Sequence, residues 1–290
     1  MDSNFLRGFL LTVEAGSMSE AARRLGITPA AVAQQIKSLE KNLETSLITR
    51  SGRTVIPTPS GSLLAERAKS IIRDIDDLKS SINTNPIGGE FRLGSINTAL
   101  LSFLPPLLKE FVALFPEVKT SIKAGHSNTL IQDVSNGDLD AAICLKPTFT
   151  LTKSLSWSEL RNEPLVLLAP TTVHAISPKK IIESQNFIRY DRNLGGGKQA
   201  EIYLRESQIN PIEGIELSSI LSIAMMVEAG LGVSIVPDIQ SPLIDRLKIK
   251  KIKLDDKSHR AIGVLHQKHS IKTNLIQQLV ESYKNLSKTS

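Results

Sequence analysis

The sequence predicts a multidomain protein of mixed α+β and α/β class, with a helical N-terminal domain, a long linking helix and a C-terminal domain of two α/β lobes. In the first sixty residues, apolar side chains recur at helical spacing between glycine turns. A heptad-spaced stretch follows, and beyond it short apolar strand patterns alternate with amphipathic helices. The predicted domains are residues 1–58, 59–89 and 90–290.

The 290-residue chain has an ordinary globular composition, with 41% hydrophobic and 22% charged residues. Its formal net charge of +6 permits a nucleic-acid partner without identifying one. The basic excess lies in residues 246–290, either as a solvated tail or as a second DNA contact. The sequence shows neither a signal-peptide pattern nor an apolar run of membrane-spanning length, so we expect a cytoplasmic protein without a membrane partner.

Three helices are predicted in the N-terminal domain. Gly16 ends the first, and Ser17 with Glu20 predicts a capping box, in which the hydroxyl accepts from the amide three residues on and the carboxylate reaches back. Gly26 makes the next turn, and Thr28 and Pro29 begin the third helix as N-cap and first helical residue. Two helices joined by a tight turn, with a third packed behind them, predict a helix-turn-helix.

The second helix of such a pair enters the DNA major groove with its N-terminal residues. Gln34 suits an adenine edge and Ala30 or Ala33 a thymine methyl, although Gln34 can equally be a solvated helix residue. A β-hairpin wing follows around a glycine turn, with two arginines suited to phosphates or the minor groove. The predicted DNA-binding residues are Thr28, Pro29, Ala30, Ala33, Gln34, Lys37, Arg50 and Arg53.

The linking helix begins at Thr58-Pro59 and runs to about Asn83, before a hinge rich in Asn, Pro and Gly. Its apolar stripe either lies on its own domain or forms a coiled coil with a second copy of the chain, and we favour the coiled coil because a symmetric pair reads two half-sites. The predicted dimer residues are Leu64, Ala68, Ile71, Ile75, Leu78 and Ile82.

The C-terminal residues predict two lobes, each a mostly parallel sheet covered by helices. The first lobe spans about 90–161 and 260–290, and the second about 162–259. The patterns place strands at 91–94, 118–122, 139–145, 164–168, 187–190, 232–237 and 261–265, and helices at 100–115, 128–136, from 198, from 218 and at 274–283.

Ligands bind open α/β sheets beyond the carboxyl ends of the strands, where helix N-termini offer free amides. The polar residues at these positions suit a small polar or anionic effector. The serines are either effector contacts or only helix caps, and His126 is either an effector contact or an ordinary loop histidine. The predicted effector residues are Ser95, Asn97, Thr98, His126, Ser127, Asn128, Tyr190, Arg192, Ser218 and Ser219.

Enzymatic chemistry and protein-bound cofactors are not expected. The histidines lack metal-ligand spacing. A phosphate loop that contained the glycine-rich segment 194–199 would need glycine in place of Arg192 and serine or threonine in place of Gln199. Cys144, the single cysteine, lies in an apolar run, which favours a buried side chain over a redox role.

An ordered set of residues resembles the LysR-type transcriptional regulators. Ala33, Gln34, Thr45 and Ile48 depart from the family's usual residues, which puts the operator sequence in doubt and not the fold. The N-terminal matches are Phe9, Leu10, Val13, Gly16, Ser17, Ala21, Ala22, Leu25, Thr28, Pro29, Ala30, Ala31, Val32, Gln35, Ile36, Leu39, Glu40, Thr58, Pro59 and Gly61. The C-terminal matches include Gly94, Leu104, Pro105, Phe111, Pro116, Gly137, Leu139, Asp140, Pro164, Leu165, Val227, Ala229, Gly230, Gly232, Val233 and Pro237.

The resemblance covers essentially the whole chain and implies a winged helix-turn-helix, a dimerising helix and an effector domain similar to periplasmic solute-binding proteins. It further implies a homodimer, paired into a tetramer through the effector domains, that binds double-stranded DNA. We expect RNA polymerase as a further partner if the protein is an activator. A solute-binding protein is opposed by the helix-turn-helix, and a structural nucleoid protein by the large two-lobed domain.

Overall fold

The computed structural model describes residues 2–52, 54–83, 89–174, 177–254 and 259–289. They form two compact units, one made mainly of residues 1–90 and the other mainly of residues 91–290. Within these described ranges, none of the helices has both the length and the apolar character needed to cross a membrane.

The N-terminal unit is a three-helix core followed by a hairpin and a long helix. Phe9, Val32 and Leu39 are fully buried at its centre, one from the first helix and two from the third. The elements in chain order are α1 (Ser3–Ala15), α2 (Met18–Leu25), α3 (Pro29–Leu43), β1 (Ile48–Ser51), β2 (Thr54–Pro57) and α4 (Pro59–Asn83). The strands β1 and β2 pair antiparallel, as expected for a wing.

The helix starts follow the capping signals, with one correction. Ser17 Oγ accepts a hydrogen bond from the amide of Glu20 at 3.4 Å, and Gly26 ends α2 in the left-handed region at φ 67°. The carboxylate of Glu20 does not reach back to complete a capping box. It accepts from Arg23 and Arg24 on the next turn, and these charged hydrogen bonds lower its pKa to about 2.

The C-terminal unit contains two sheets with helices on their faces. The first lobe begins with β3 (Gly89–Ser95), α5 (Asn97–Leu100), α6 (Leu104–Leu114), β4 (Val118–Ala124), α7 (Ser127–Ser135) and β5 (Ala141–Leu145). The long strand β6 (Leu155–Pro170) leads to the second lobe, with α8 (Pro178–Ser184), β7 (Asn186–Tyr190), α9 (Gly195–Glu206), β8 (Ile212–Leu217), α10 (Ile220–Glu228), β9 (Ser234–Pro237), α11 (Pro242–Asp245) and β10 (Ile249–Lys253). The chain returns through β11 (His259–Gln267) and ends in α12 (Thr273–Thr289).

Two antiparallel strands connect the lobes. The first half of β6 pairs with β11 as far as Pro164, and from Leu165 onward β6 pairs with β9 and β10 in the second sheet. The strand β11 also pairs with β5, which places β11 in the first sheet, as predicted for a late returning strand. In the second half of β6, alternate residues enter hydrophobic clusters on opposite faces, which explains the continuous apolar run 165–169.

Three predictions about the C-terminal elements need correction. The helix predicted from Leu100 begins at Leu104, because a turn separates it from the short α5. The strand predicted from Pro164 begins at Leu155, because its first half is mostly polar, with Leu155, Trp157 and Leu160 as its apolar residues. The sheets are parallel between β3 and β5 and between β7 and β8, but the connecting strands run antiparallel to their neighbours.

Candidate DNA-binding surface and effector cavity

The first turns of α3 present the predicted DNA-contacting side chains to solvent. Thr28 Oγ1 accepts from the amide of Ala31 at 3.2 Å, which fixes the start of the helix. The inward face buries Val32, Ile36 and Leu39, so the opposite face must be exposed. Ala33 is half-buried, and the exposed residues of the predicted set are Thr28, Pro29, Ala30, Gln34 and Lys37.

The wing contributes one further described residue of the predicted DNA-binding set. Arg50 is exposed on β1, opposite Val55 on β2. Arg53, the other predicted wing contact, lies outside the described residues. A helix that presents polar and methyl groups beside a basic hairpin has the geometry of a winged helix-turn-helix bound to one DNA half-site.

The apolar stripe of α4 divides into a buried and an exposed part. Ala68 is fully buried in the core of its own domain, so its assignment to the dimer contact is wrong; this part of α4 packs on α1 instead. Leu64 packs against the same core. Ile71 and Leu78 are 39% and 52% exposed. Ile75 is half-buried, and the side chain of Ile82 lies outside the described residues.

A cavity of about 390 Å³ lies between the two lobes of the C-terminal unit. The loops that follow β3, β4 and β5 border it from the first lobe, and those that follow β7 and β8 border it from the second. The predicted effector residues that line it are Asn97, Thr98, His126, Ser127, Asn128, Tyr190, Ser218 and Ser219.

Two predicted effector residues do not line the cavity. Ser95 is fully buried within β3, and its hydroxyl donates to the carbonyl of Ile96 at 3.1 Å. Arg192 is exposed on the second lobe, where its Nη2 donates to Glu213 at 2.7 Å. Both follow predicted strand ends, but β3 extends one residue further than predicted and the Arg192 side chain turns toward the carboxylates of the second lobe.

The lining hydroxyls differ in what they already bind. Ser127 Oγ accepts from the amide of Leu145 at 3.2 Å, and Ser219 Oγ accepts from Ser222 at the start of α10 at 3.3 Å. Thr98 Oγ1 is buried without a hydrogen-bond partner. A buried hydroxyl is unfavourable unless it is satisfied, so Thr98 is the lining hydroxyl best suited to bind an effector.

Three basic residues that line the cavity were missed by sequence reasoning: Lys146, Lys198 and Arg260. Lys146 follows the carboxyl end of β5, so the rule that selected the other strand ends would have found it. Arg260 lies at the start of β11, where the strand-end rule does not apply. Among the described residues, none that lines the cavity is an aspartate or a glutamate, so the fixed charge of the cavity is positive.

The glycine-rich segment begins α9 at the cavity edge. No side chain caps this helix, and Gly195 and Lys198 line the cavity. A Cβ on Gly197 would stand 2.0 Å from the carbonyl oxygen of Asp191, so only glycine fits there. The segment thus brings free amides and a lysine to the cavity without the phosphate-loop pattern.

The single cysteine takes no part in the cavity. Cys144 is fully buried in β5, and burial raises the pKa of its thiol to about 12. A protonated, inaccessible thiol is a poor nucleophile. The structure therefore gives no support to a redox role for this residue.

Comparisons with known proteins agree along the whole chain. Residues 3–62 match the family model for bacterial regulatory helix-turn-helix proteins of the lysR family, and residues 84–287 match the LysR substrate binding domain. The HTH-type transcriptional regulator IlvY of Escherichia coli K12 is 28% identical over 290 residues, which cover 96% of this chain and 97% of the relative. GltR of Bacillus subtilis 168 is 27% identical over 238 residues, covering 82% of this chain and 80% of the relative.

Solved structures share the fold. Full-length CbnR complexed with its target DNA superposes with a TM-score of 0.68 at 18% identity, covering 98% of this chain and 99% of CbnR. HinK, a LysR family transcriptional regulator from Pseudomonas aeruginosa, gives a TM-score of 0.58 at 21% identity and 98% coverage of both chains.

Proposed function

The chain belongs to the LysR family of bacterial transcriptional regulators, and on that premise we propose that it is a DNA-binding regulator controlled by a small organic anion bound between its two lobes. DNA binding and effector control follow from the family. The charge of the effector and the residues that contact DNA and effector are the proposed part.

The exposed first turns of α3 support the assignment of the DNA contacts. Gln34 and Lys37 lie on the solvent-facing side of the helix, where they can reach base edges and phosphates in the major groove. The N-terminal domain has little net charge, with seven basic and five acidic residues in 1–58. Discrimination between sequences must therefore depend on a few placed side chains more than on overall attraction.

The single observation that carries the effector assignment is that the charged side chains lining the cavity, among the described residues, are all basic. Lys146, Lys198 and Arg260 line it together with the unpartnered hydroxyl of Thr98. Apolar side chains, including Phe149 and Leu221, cover part of the wall. A cavity with basic groups and an apolar wall suits a carboxylate attached to a small hydrocarbon body.

The family assignment supports an oligomer, and we place the dimer contact on the exposed part of the α4 stripe, around Ile71 and Leu78. A second pairing through the effector domains would give a tetramer. The protein works in the cytoplasm on this account, and it contacts RNA polymerase if it activates transcription.

Two measurements test the proposal. The purified protein should prefer DNA from upstream of its own gene to random DNA at physiological salt, as measured by fluorescence anisotropy. Acetate, butyrate and benzoate should bind to it more tightly than acetamide, butyramide and benzamide, because each pair differs mainly in charge. Equal binding to both DNAs contradicts the assigned reading residues, and equal binding of acids and amides contradicts the anionic effector.

A further inference from the structure

Three charged side chains meet where β6 and β11 connect the two lobes. Glu163 on β6 and Arg260 on β11 are register partners. Nε and Nη2 of Arg260 lie 2.7 Å and 2.6 Å from the same carboxylate oxygen, Glu163 Oε2. Arg161 Nε lies 3.4 Å from the other oxygen, Oε1. The Glu163 side chain is fully buried, and those of Arg260 and Arg161 are 4% and 16% exposed.

This cluster contains one carboxylate for two guanidinium groups. Buried charges are stable only where opposite charges and hydrogen bonds compensate the loss of water. Here the compensation is incomplete. Nη2 of Arg260 is buried and is not aligned to donate to Glu163, and Glu163 Oε1 has no hydrogen-bond partner. Arg161 donates to the side-chain oxygen of Gln240 at 3.2 Å. The cluster as a whole therefore keeps one excess positive charge, and Arg260 keeps a buried donor, Nη2, without a hydrogen-bond partner.

Of the two arginines, only Arg260 lines the cavity. Its charge also acts on Tyr190, a residue of the second lobe that lines the same cavity. Burial raises the pKa of the Tyr190 hydroxyl, and the charge of Arg260 opposes that rise. A neutral hydroxyl keeps its proton and can donate it to a ligand in the cavity. Arg260 thus joins the charged cluster, the second lobe and the effector site.

We propose that Arg260 is the specificity-determining contact for an anionic effector, and that Glu163 holds it in the empty protein as a competing internal anion. An effector carboxylate supplies the missing negative charge and accepts from the guanidinium. Because Arg260 and Glu163 stand on the two strands that connect the lobes, the change of partner acts directly on those strands. The inference rests on the proposed function, which makes the effector an anion.

The opposite signs expected for two substitutions distinguish this role from a structural one. Arg260→Gln removes the charge that the effector needs, so we expect benzoate to bind about tenfold more weakly or worse. Glu163→Gln removes the competing anion and leaves Arg260 in place, so we expect benzoate to bind about threefold to tenfold more tightly. If both residues only stabilised the fold, both substitutions would weaken binding.

The intrinsic fluorescence of the protein can report benzoate binding. Trp157, the single tryptophan, lies on β6 opposite Leu265 of β11. The ammonium of Lys146, which lines the cavity, lies 5.7 Å from the centroid of its ring. Tryptophan fluorescence can therefore be followed as benzoate and benzamide are added to wild type, Arg260→Gln, Arg260→Lys and Glu163→Gln. Arg246→Gln, an exposed arginine of the second lobe that does not line the cavity, is the matched control.

We expect wild type and Arg246→Gln to prefer benzoate to benzamide equally, Arg260→Lys to keep part of that preference, and Arg260→Gln to lose it. If Arg260→Gln does not fold, the direction in which Glu163→Gln changes benzoate affinity still distinguishes an effector contact from a structural role. Wild-type affinity in Arg260→Gln, or weaker binding in Glu163→Gln, would overturn the inference while leaving an anionic effector intact. A wild-type protein that does not distinguish benzoate from benzamide would instead contradict the proposed function itself.

Discussion

The DNA-binding surface and the effector cavity assemble their polar groups in different ways. Apart from the wing, the surface takes its side chains from one stretch, from Thr28 to Lys37, whose orientation is set by a local N-cap and a proline. The cavity takes its side chains from the ends of several strands and from the start of β11, from Asn97 to Arg260. The first depends on local capping and the second on strand register, so substitutions should affect the two activities separately.

The largest expected effect comes from the core beneath the surface. Phe9 is fully buried in the N-terminal domain, and Phe9→Ala should cost about 3–5 kcal/mol of that domain's stability. We expect DNA binding to be lost while the Trp157 response to benzoate is kept. Anisotropy and fluorescence titrations on one preparation measure both, with the exposed Leu43→Ala as control. Loss of both DNA binding and the benzoate response would contradict the expectation that substitutions affect the two activities separately.

The reciprocal test is Gly197→Ala at the start of α9. The added methyl would stand 2.0 Å from a backbone oxygen, so the start of the helix must shift, at a cost of about 1–3 kcal/mol. Benzoate binding should weaken while effector-free DNA binding stays at the wild-type level. Gly214→Ala, where the methyl meets open space, is the control. Unchanged benzoate affinity in Gly197→Ala would contradict the role of this helix start.

On the DNA-binding surface, Gln34→Ala should weaken binding to the preferred DNA by about 1–3 kcal/mol and leave binding to random DNA unchanged. Arg53→Ala should weaken binding to both, because a phosphate contact carries no sequence information. Competition binding with the two DNAs measures the ratio of the affinity for preferred DNA to the affinity for random DNA. Equal losses on both DNAs for Gln34→Ala would show that Gln34 does not read bases.

The smallest effect concerns the local cap itself. Thr28→Ala removes the hydroxyl that accepts from Ala31 and should cost about 1 kcal/mol. Thr28→Ser restores the acceptor and should return stability to the wild-type level. Thermal unfolding of the three proteins tests this. If serine fails to restore stability, the threonine methyl and not the cap hydrogen bond is what matters.

The sequence predicted the fold wherever local chemistry decides it. Ser17, Thr28 and Thr58 mark helix starts because a hydroxyl beside free amides has few alternatives, and the structure places the helices there. The first half of β6 was missed because it is mostly polar, and only its pairing with β11 defines it as a strand. Capping can be read from neighbouring residues, whereas pairing between distant strands cannot.

The same distinction explains the site residues. The strand-end rule found Thr98 and Tyr190, but it selected Ser95, whose hydroxyl turns inward to a backbone carbonyl. It could not find Arg260, because a residue at the start of a strand becomes part of a cavity only through the register of β6 and β11. Counting charges along the chain did not reveal the basic lining of the cavity either, because that lining is assembled from residues far apart in the sequence.

The most direct test of the account is the affinity of the protein for its preferred upstream DNA, measured by anisotropy with benzoate, with benzamide and with neither. If an anion bound between the lobes controls DNA binding, benzoate should change the affinity by about fivefold or more and benzamide should not. The change should disappear in Arg260→Gln. Equal effects of benzoate and benzamide, or no effect of benzoate despite a Trp157 response, would contradict the account.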